Sequence, residues 1–350
     1  MAKHDGVATD GALDQTPAPA SAQSQAEASA EDRLIATDFR PIATHPGAFG
    51  LTDDAAAIAP PPGCDLVLKT DGVIGGVHFF PDDPADAVAR KALRINLSDL
   101  AAKGATPLGF LLSLALPREV GENWLTGFAE GLRADAVFYG CPLFGGDTDR
   151  TPGPITISIA MFGSVPEGAM VRRAGAKPGD RVFVTGTIGD AALGLTLRKG
   201  ASWKLNEAQR QYLIARYLLP QPRIALAEAM RAHASAAMDV SDGLAGDFAK
   251  LCRTSQVAAD IVVAQVPLSD AAKAVVTADA AMLETALTGG DDFEIVCTVS
   301  TAKAASFRAA AQAAKVVVTE IGEIKAGEGA RFLAADGKLL MFKHTCFSHF

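Results

Sequence analysis

The chain has 350 residues, which suggests two domains at about 100–200 residues each. Hydrophobic residues make up 49 % and charged residues 21 %, which excludes a wholly disordered chain and a disulfide-stapled miniprotein. With 32 Lys plus Arg against 40 Asp plus Glu, the net charge of −8 repels phosphate backbones. Nucleic-acid binding is therefore not expected, and a phosphate ligand would need a local device such as metal ions.

Residues 1–30 are Ala, Ser, Gln, Thr, Asp and Pro with almost no large apolar side chain. Such a segment cannot bury enough surface to offset its ordering entropy, so it is expected to be a disordered tail. An N-terminal α/β domain is expected over 31–165. Leu66-Val67-Leu68 reads as a strand running into Thr70-Asp71-Gly72. Pro84 opens a helix with Ala89, Leu93, Leu97, Leu100 and Ala101 on one face, ending near Gly104. A strand over Leu108–Leu116 and a helix near Glu122–Tyr139 follow. Gly145-Gly146-Asp147 reads as a turn, and Ile155–Ile159 alternates with period two as a half-buried strand.

The turn formers of 165–180 mark the domain boundary, and a C-terminal α/β domain is expected over 166–350. It holds a strand at Val182–Val184, helices at Asn206–Leu218 and Pro222–Ala234, and a strand at Phe293–Val299. A helix at Ala302–Ala314 and a strand near Lys315–Val318 complete the β/α alternation. No fixed-period repeat is present. The five cysteines are scattered without a CxxC, which reads as reduced thiols in a cytosolic protein. No apolar run reaches membrane length and the N-terminus has no continuous apolar core, so a soluble cytoplasmic protein is expected.

The informative feature is where the aspartates stand. Asp53-Asp54, Asp71, Asp99, Asp147, Asp149, Asp239, Asp242 and Asp291-Asp292 follow apolar strands or sit at helix ends. Strand ends along one sheet edge feed a common crevice, where α/β proteins bind ligands. Converging carboxylates repel by roughly 4 kcal/mol per pair about 4 Å apart at an effective dielectric near 20. They therefore need protons or cations, and with carboxylate ligands and no Cys/His set the hard cation of choice is Mg2+. Any one of these residues can equally be a helix cap or a turn residue, Asp242 before Gly243-Leu244 included. The weight lies in the collection, and in Asp99, which stands beside an apolar helix stripe.

Other nucleotide motifs are missing: no GxxxxGK[ST], no kinase HRD–DFG set, and no GxGxxG after a first strand. Gly186-Thr187-Ile188-Gly189-Asp190 reads as a phosphate-facing helix start or as an ordinary strand–helix turn. Arg172-Arg173 can fork onto phosphate oxygens or simply be solvated. His78, among glycines and aromatics, is a satisfied histidine or a ligand contact. His344, Cys346 and His349 match no zinc spacing. No GxSxG and no obvious Ser or Cys nucleophile occurs, which points to positioning and metal electrostatics rather than covalent catalysis.

Taken in order, the segments Thr52–Ala55, Lys69-Thr70-Asp71 through Gly76–Phe79, Asn96–Ala105, Gly145–Thr148, Arg173–Asp180, Asp239–Leu244 and Gly289–Glu294 resemble the thiamine-monophosphate kinase family. That family shares a superfamily with aminoimidazole ribonucleotide synthetase and selenophosphate synthetase, and the likeness spans about residues 33–350. The resemblance implies ATP-dependent phosphorylation of thiamine monophosphate by direct γ-phosphoryl transfer. Position by position, it implies that Asp54, Thr70, Asp71, Asp99, Asp147, Asp239 and Asp242 hold several Mg2+ ions. Ser241 and Arg173 would contact ATP, and His78, Asp291 and Phe347 would line the thiamine-phosphate pocket. It also implies a homodimer in which the N-terminal sheet pairs with a second subunit into a barrel, with the site between the two domains. The chain departs from the family in three places. Asp291 stands where Glu is usual, Lys69 where Ser is frequent, and Phe347 where Tyr or Trp is frequent. Lys69 adds a positive charge beside the expected metal cluster. A sister synthetase with another acceptor is a second reading, although residues 1–63 lack the Cys that selenophosphate synthetases generally carry. A non-catalytic nucleotide or thiamine-phosphate binding protein is a third.

Overall fold

The structure, a computed structural model, describes residues 30–347. The expected 1–30 tail therefore lies, but for its last residue, outside the described residues, as does His349. The described chain begins with a short helix α1 (Ala30–Leu34), followed by a wide π-type turn (Ile35–Phe39) and tight 3-10 turns as far as Leu51. The N-terminal unit then runs β1 (Cys64–Ile74), α2 (Ala85–Ala102), β2 (Thr106–Leu116), α3 (Glu122–Tyr139), β3 (Leu143–Arg150) and β4 (Thr156–Pro166). Its four strands lie in the order β1-β4-β2-β3, antiparallel except for the parallel β2–β3 pair.

Period-two alternation divides this sheet into two unlike faces. Val67 and Val73 of β1, Leu112 and Leu114 of β2, and Ile157, Ile159 and Met161 of β4 are buried in one core with Leu93, Leu97 and Leu100 of α2. On the opposite face Leu66, Leu68 and Leu111 are exposed. Gly145-Gly146-Asp147 is part of β3 and not a turn. A Cβ on Gly146 would stand 1.8 Å from the Leu112 carbonyl oxygen, so the glycine serves close strand approach.

After the non-repetitive segment 167–180, the C-terminal unit begins with β5 (Arg181–Thr185), α4 (Asp190–Arg198), α5 (Glu207–Leu218), α6 (Ala227–His233) and β6 (Ala234–Val240). It continues with α7 (Leu244–Ser255), β7 (Ala258–Val262), α8 (Asp270–Ala278), α9 (Met282–Thr288) and β8 (Glu294–Val299). The last elements are α10 (Ala304–Ala313), β9 (Val318–Lys325) and β10 (Gly329–Leu333). The six strands form one mixed sheet, β10-β7-β9-β5-β8-β6. Its alternating residues feed two cores. Val182 and Val184 pack with Phe248 and Leu251 of α7, whereas Phe183 packs with Phe307 of α10 and Met230 of α6.

Two expected elements shift. The helix expected over 222–234 is a tight turn, Ile224–Leu226, followed by α6. The strand expected near 315–318 starts at Val318, because Lys315 (φ +57°) ends the preceding helix in the left-handed region. Helix α2 keeps its expected place, and past its first two turns only Asp99 is not buried: Lys91 and Arg94 are buried along with its apolar stripe. It touches β1, β4 and α3 on one side and β6, β8 and α5 on the other, so it is the shared wall between the units.

Candidate active site

A cleft of about 610 Å³ lies along α2 where the two units meet, and elements of both units deliver side chains to it. Lys69 and Asp71 stand two residues apart on β1, which points both toward the α2 side. Asp99 comes from the fourth turn of α2. Strand β6 ends in Asp239-Val240 and passes into Ser241-Asp242, a loop fixed by Asp247 of α7, which accepts the N–H groups of Ser241 (3.0 Å) and Asp242 (2.8 Å). Lys250, one turn on, donates to Asp242 (2.5 Å) and Asp247 (2.9 Å). Arg173 reaches the cleft from the inter-unit segment.

These carboxylates are close enough to perturb one another. Burial pushes Asp239 well above the usual carboxylate range, and the charges of Asp99 and Asp247 add to the shift. Burial also raises Asp71, with Asp99 and Asp242 contributing and Lys69 opposing. Neutralisation comes partly from the chain itself. Lys69 Nζ lies 3.2 Å from Asp71 Oδ1 and 2.9 Å from Asp99 Oδ2. Burial pulls its ammonium down, but the two carboxylates outweigh that and hold its pKa above the ordinary lysine value. Lys103 of the same motif donates to the Ala237 carbonyl (2.8 Å). Asp239 is different: its Oδ2 is buried with no hydrogen-bond partner among the described residues.

That orphaned oxygen fits a hard cation, as the resemblance implies. Among the described residues no three His, Cys, Asp or Glu side chains are grouped to hold an ion by themselves. An Mg2+ ion held here by one or two of these carboxylates would complete its shell with water and substrate phosphate.

At the other end of the cleft, Gly290 (φ +78°), Asp291 (φ +63°) and Phe293 (φ +50°) form a strained turn held by Asp291 N–H to Ser241 O and Phe293 N–H to Val240 O, both 2.8 Å. A Cβ on Gly290 would meet Ser241 O at 2.5 Å, so only glycine fits. The turn separates neighbouring acids. Asp291 faces the cleft, whereas Asp292 is buried and accepts the Gly189 N–H with both oxygens (2.9 and 2.8 Å). Lys91, only 4 % exposed, donates to Asp291 Oδ2 (3.1 Å) and to the His78 carbonyl (3.0 Å), with its ammonium 3.9 Å from the Tyr217 ring centre. The His78 Nδ1 accepts the Ile74 N–H (3.0 Å). Phe347 reaches the rim because its N–H bonds the Asp242 carbonyl (2.9 Å).

Of the residues expected in the site, Asp71, Asp99, Asp239, Asp242, Ser241, Arg173, His78, Asp291 and Phe347 line this cleft. Asp54, Thr70 and Asp147 do not. Thr70 shares the outer sheet face with Leu66 and Leu68, one residue out of phase with Asp71. Asp147 pairs with Ser113 on β3, the far edge strand, three inter-strand spacings or roughly 14 Å from β1. Asp54 and Asp147 line a second, apolar cavity of about 780 Å³ on that outer face. The Gly186–Asp190 segment is an ordinary strand–helix turn, since its Gly189 N–H is taken by Asp292. Lys91, Tyr217, Asp247 and Lys250 join the site only through the fold; α2 also carries Asp86, Arg90, Arg94, Asn96 and Asp99, so nothing in its sequence sets Lys91 apart.

The chain, a two-domain α/β protein with a carboxylate-lined cleft between its sheets, is of the AIR synthase related class. Residues 52–165 match the family model described as AIR synthase related protein, N-terminal domain, and residues 177–334 match that of the C-terminal domain. The thiamine-monophosphate kinase of Caulobacter vibrioides is 43 % identical over 299 residues, 84 % of each chain. The crystal structure of thiamine-monophosphate kinase from Stenotrophomonas maltophilia K279a is 35 % identical, with a TM-score of 0.78, covering 90 % of this chain and 98 % of that one. A solved structure of AaThiL complexed with AMPPCP and TMP is 32 % identical, with a TM-score of 0.72, covering 87 % and 97 %. The chain belongs to the thiamine-monophosphate kinase family.

Proposed function

We propose that this chain transfers the γ-phosphoryl group of ATP to thiamine monophosphate, giving thiamine diphosphate and ADP. The observation that carries the reading is the meeting of Asp71, Asp99, Asp239 and Asp242 with Arg173, Ser241, His78, Asp291 and Phe347 in one cleft of a chain of this family. The ATP analogue and TMP held by the AaThiL relative support both substrates.

The acceptor is itself a phosphate, whose oxygen is ionised at neutral pH, so no side chain has to abstract a proton. A bond forms from that oxygen to the γ-phosphorus as the bond to the ADP oxygen breaks, and the electron pair stays on ADP. Such a transfer depends on in-line alignment and charge neutralisation. Asp239, with Asp71, Asp99 and Asp242, would hold Mg2+, which neutralises polyphosphate charge when bound. The Arg173 fork and the Ser241 hydroxyl would hold the triphosphate. Asp291 would face the cationic thiazolium, and the Phe347 ring would stack on the substrate.

Asp54, Thr70 and Asp147 are assigned to metal by family likeness alone. The exposed Leu66, Leu68 and Leu111 support a homodimer built on that face, in which a second copy would enclose these three residues. Five free cysteines support a reducing, cytoplasmic setting. Among the described residues no helix is long and apolar enough to cross a membrane.

Release of ADP from ATP and Mg2+ tests the reading when thiamine monophosphate is added or withheld. Release that requires the acceptor is expected; release indifferent to it, or none, would point to another acceptor or a binding protein.

A further inference from the structure

Within the cleft, two carboxylate environments differ. Asp71 and Asp99 each have one oxygen on the Lys69 ammonium, at 3.2 and 2.9 Å, whereas Asp239 keeps a buried oxygen without a partner among the described residues. Lys69 has no other role visible in its surroundings. It stands on β1 with Asp71 two residues on, so both point to the same side, and Asp99 closes over it from α2. Its side chain is 30 % exposed and its ammonium is committed to two anions at once. An ammonium is a compact charge with three donors, suited to bridging two carboxylates as a small cation does.

We propose that the Lys69 ammonium is a built-in cation of the cleft, taking the place of one divalent ion between Asp71 and Asp99 and leaving the Asp239 side as the place where a metal ion is gained. The idea rests on the kinase reading for its meaning but not for its test. With Lys69 present, the Asp71–Asp99 pair is neutralised before any metal arrives. Removing its charge leaves two facing carboxylates beside Asp239, and the same repulsion then recruits an additional ion. The remaining oxygens of Asp71 and Asp99 stay available to ions bound deeper in the cleft.

The test counts Mn2+ ions bound per chain by electron paramagnetic resonance on the full-length protein without nucleotide. Lys69→Met is expected to bind one more Mn2+ per chain than the unmodified protein, and Lys69→Arg, which keeps the charge, the same number. Equal counts in the unmodified protein and Lys69→Met, or a gain in Lys69→Arg, would overturn the proposal. Should Lys69→Met fail to give a native circular dichroism spectrum, Lys69→Gln, neutral and of similar reach, is counted in its place with the same two outcomes. Thiamine diphosphate formation is measured separately. Its absence would remove the kinase reading without touching the ion count, and an unchanged ion count would remove the Lys69 proposal without touching the kinase reading.

Discussion

The two faces of the N-terminal sheet make an instructive pair. The outer face carries the larger cavity, about 780 Å³, but its walls are chiefly Leu, Ile, Phe and Ala, and its two predicted ligands Asp54 and Asp147 come from a loop and a far edge strand. The inner face holds the smaller cleft, about 610 Å³, into which carboxylates, lysines, an arginine and aromatic rings converge from both units. Size therefore does not locate the chemistry. What distinguishes the inner cleft is mutual perturbation: its acids shift each other's proton affinity, and one keeps a buried oxygen unsatisfied. The outer face has the character of a surface awaiting cover.

The largest effect that would break this contrast belongs to Asp239. Asp239→Asn keeps the shape but removes the charge, and turnover is expected to fall on the order of a hundredfold or more with an unchanged circular dichroism spectrum. A near-normal rate at limiting Mg2+ would place the chemistry elsewhere. On the outer face, Leu68→Glu puts a charge at a position 66 % exposed in the single chain. If the proposed homodimer uses this face, sedimentation is expected to show a dimer for the unmodified chain and a folded monomer for the variant; equal sedimentation coefficients would mean that this face is not the interface.

At the substrate end, Asp291→Asn is expected to raise KM for thiamine monophosphate roughly tenfold, about 1.4 kcal/mol, while leaving KM for ATP in place. Equal changes in both would show that Asp291 acts through the fold. The smallest effect is a pH dependence. Burial, then the charges of Asp99 and Asp247, hold the folded-state pKa of Asp239 above its ordinary 3.8, so the folded chain takes up that proton more readily than the unfolded one. In metal-free protein this contribution is complete below the unfolded value and is lost as pH rises through the raised one. As pH rises above about 4, the melting temperature of the metal-free protein is therefore expected to lose ground relative to that of Asp239→Asn, by roughly a few degrees. Parallel curves for the two proteins would remove Asp239 as the source.

Much of the cleft could be read before the fold was known, because its residues stand where sequence patterns are strongest. Asp71 and Asp239 lie on apolar strands, Asp242 just past a strand end, and Asp99 on a helix with an unmistakable apolar stripe. The Glu122–Tyr139 helix also has the bounds its pattern suggested. What escaped depends on tertiary placement. Alternation along one strand sends Thr70 and Asp71 to opposite faces, a distinction that matters only once the sheet has an inside. Glycines that read as a turn are the close contact of two strands at Gly146. Lys69 already stands in the sequence as a positive charge beside the expected cluster, but its second partner Asp99 comes from α2, and the role of Lys250 on Asp242 shows only in the folded chain.

The most direct test of the account is phosphorus NMR of the purified protein with ATP, Mg2+ and thiamine monophosphate, followed through one reaction. The expected spectrum gains the resonances of a diphosphate ester and of ADP in equal amounts as the monophosphate signal declines. An unchanged monophosphate signal, whether ATP persists or breaks down to ADP and inorganic phosphate, would contradict it.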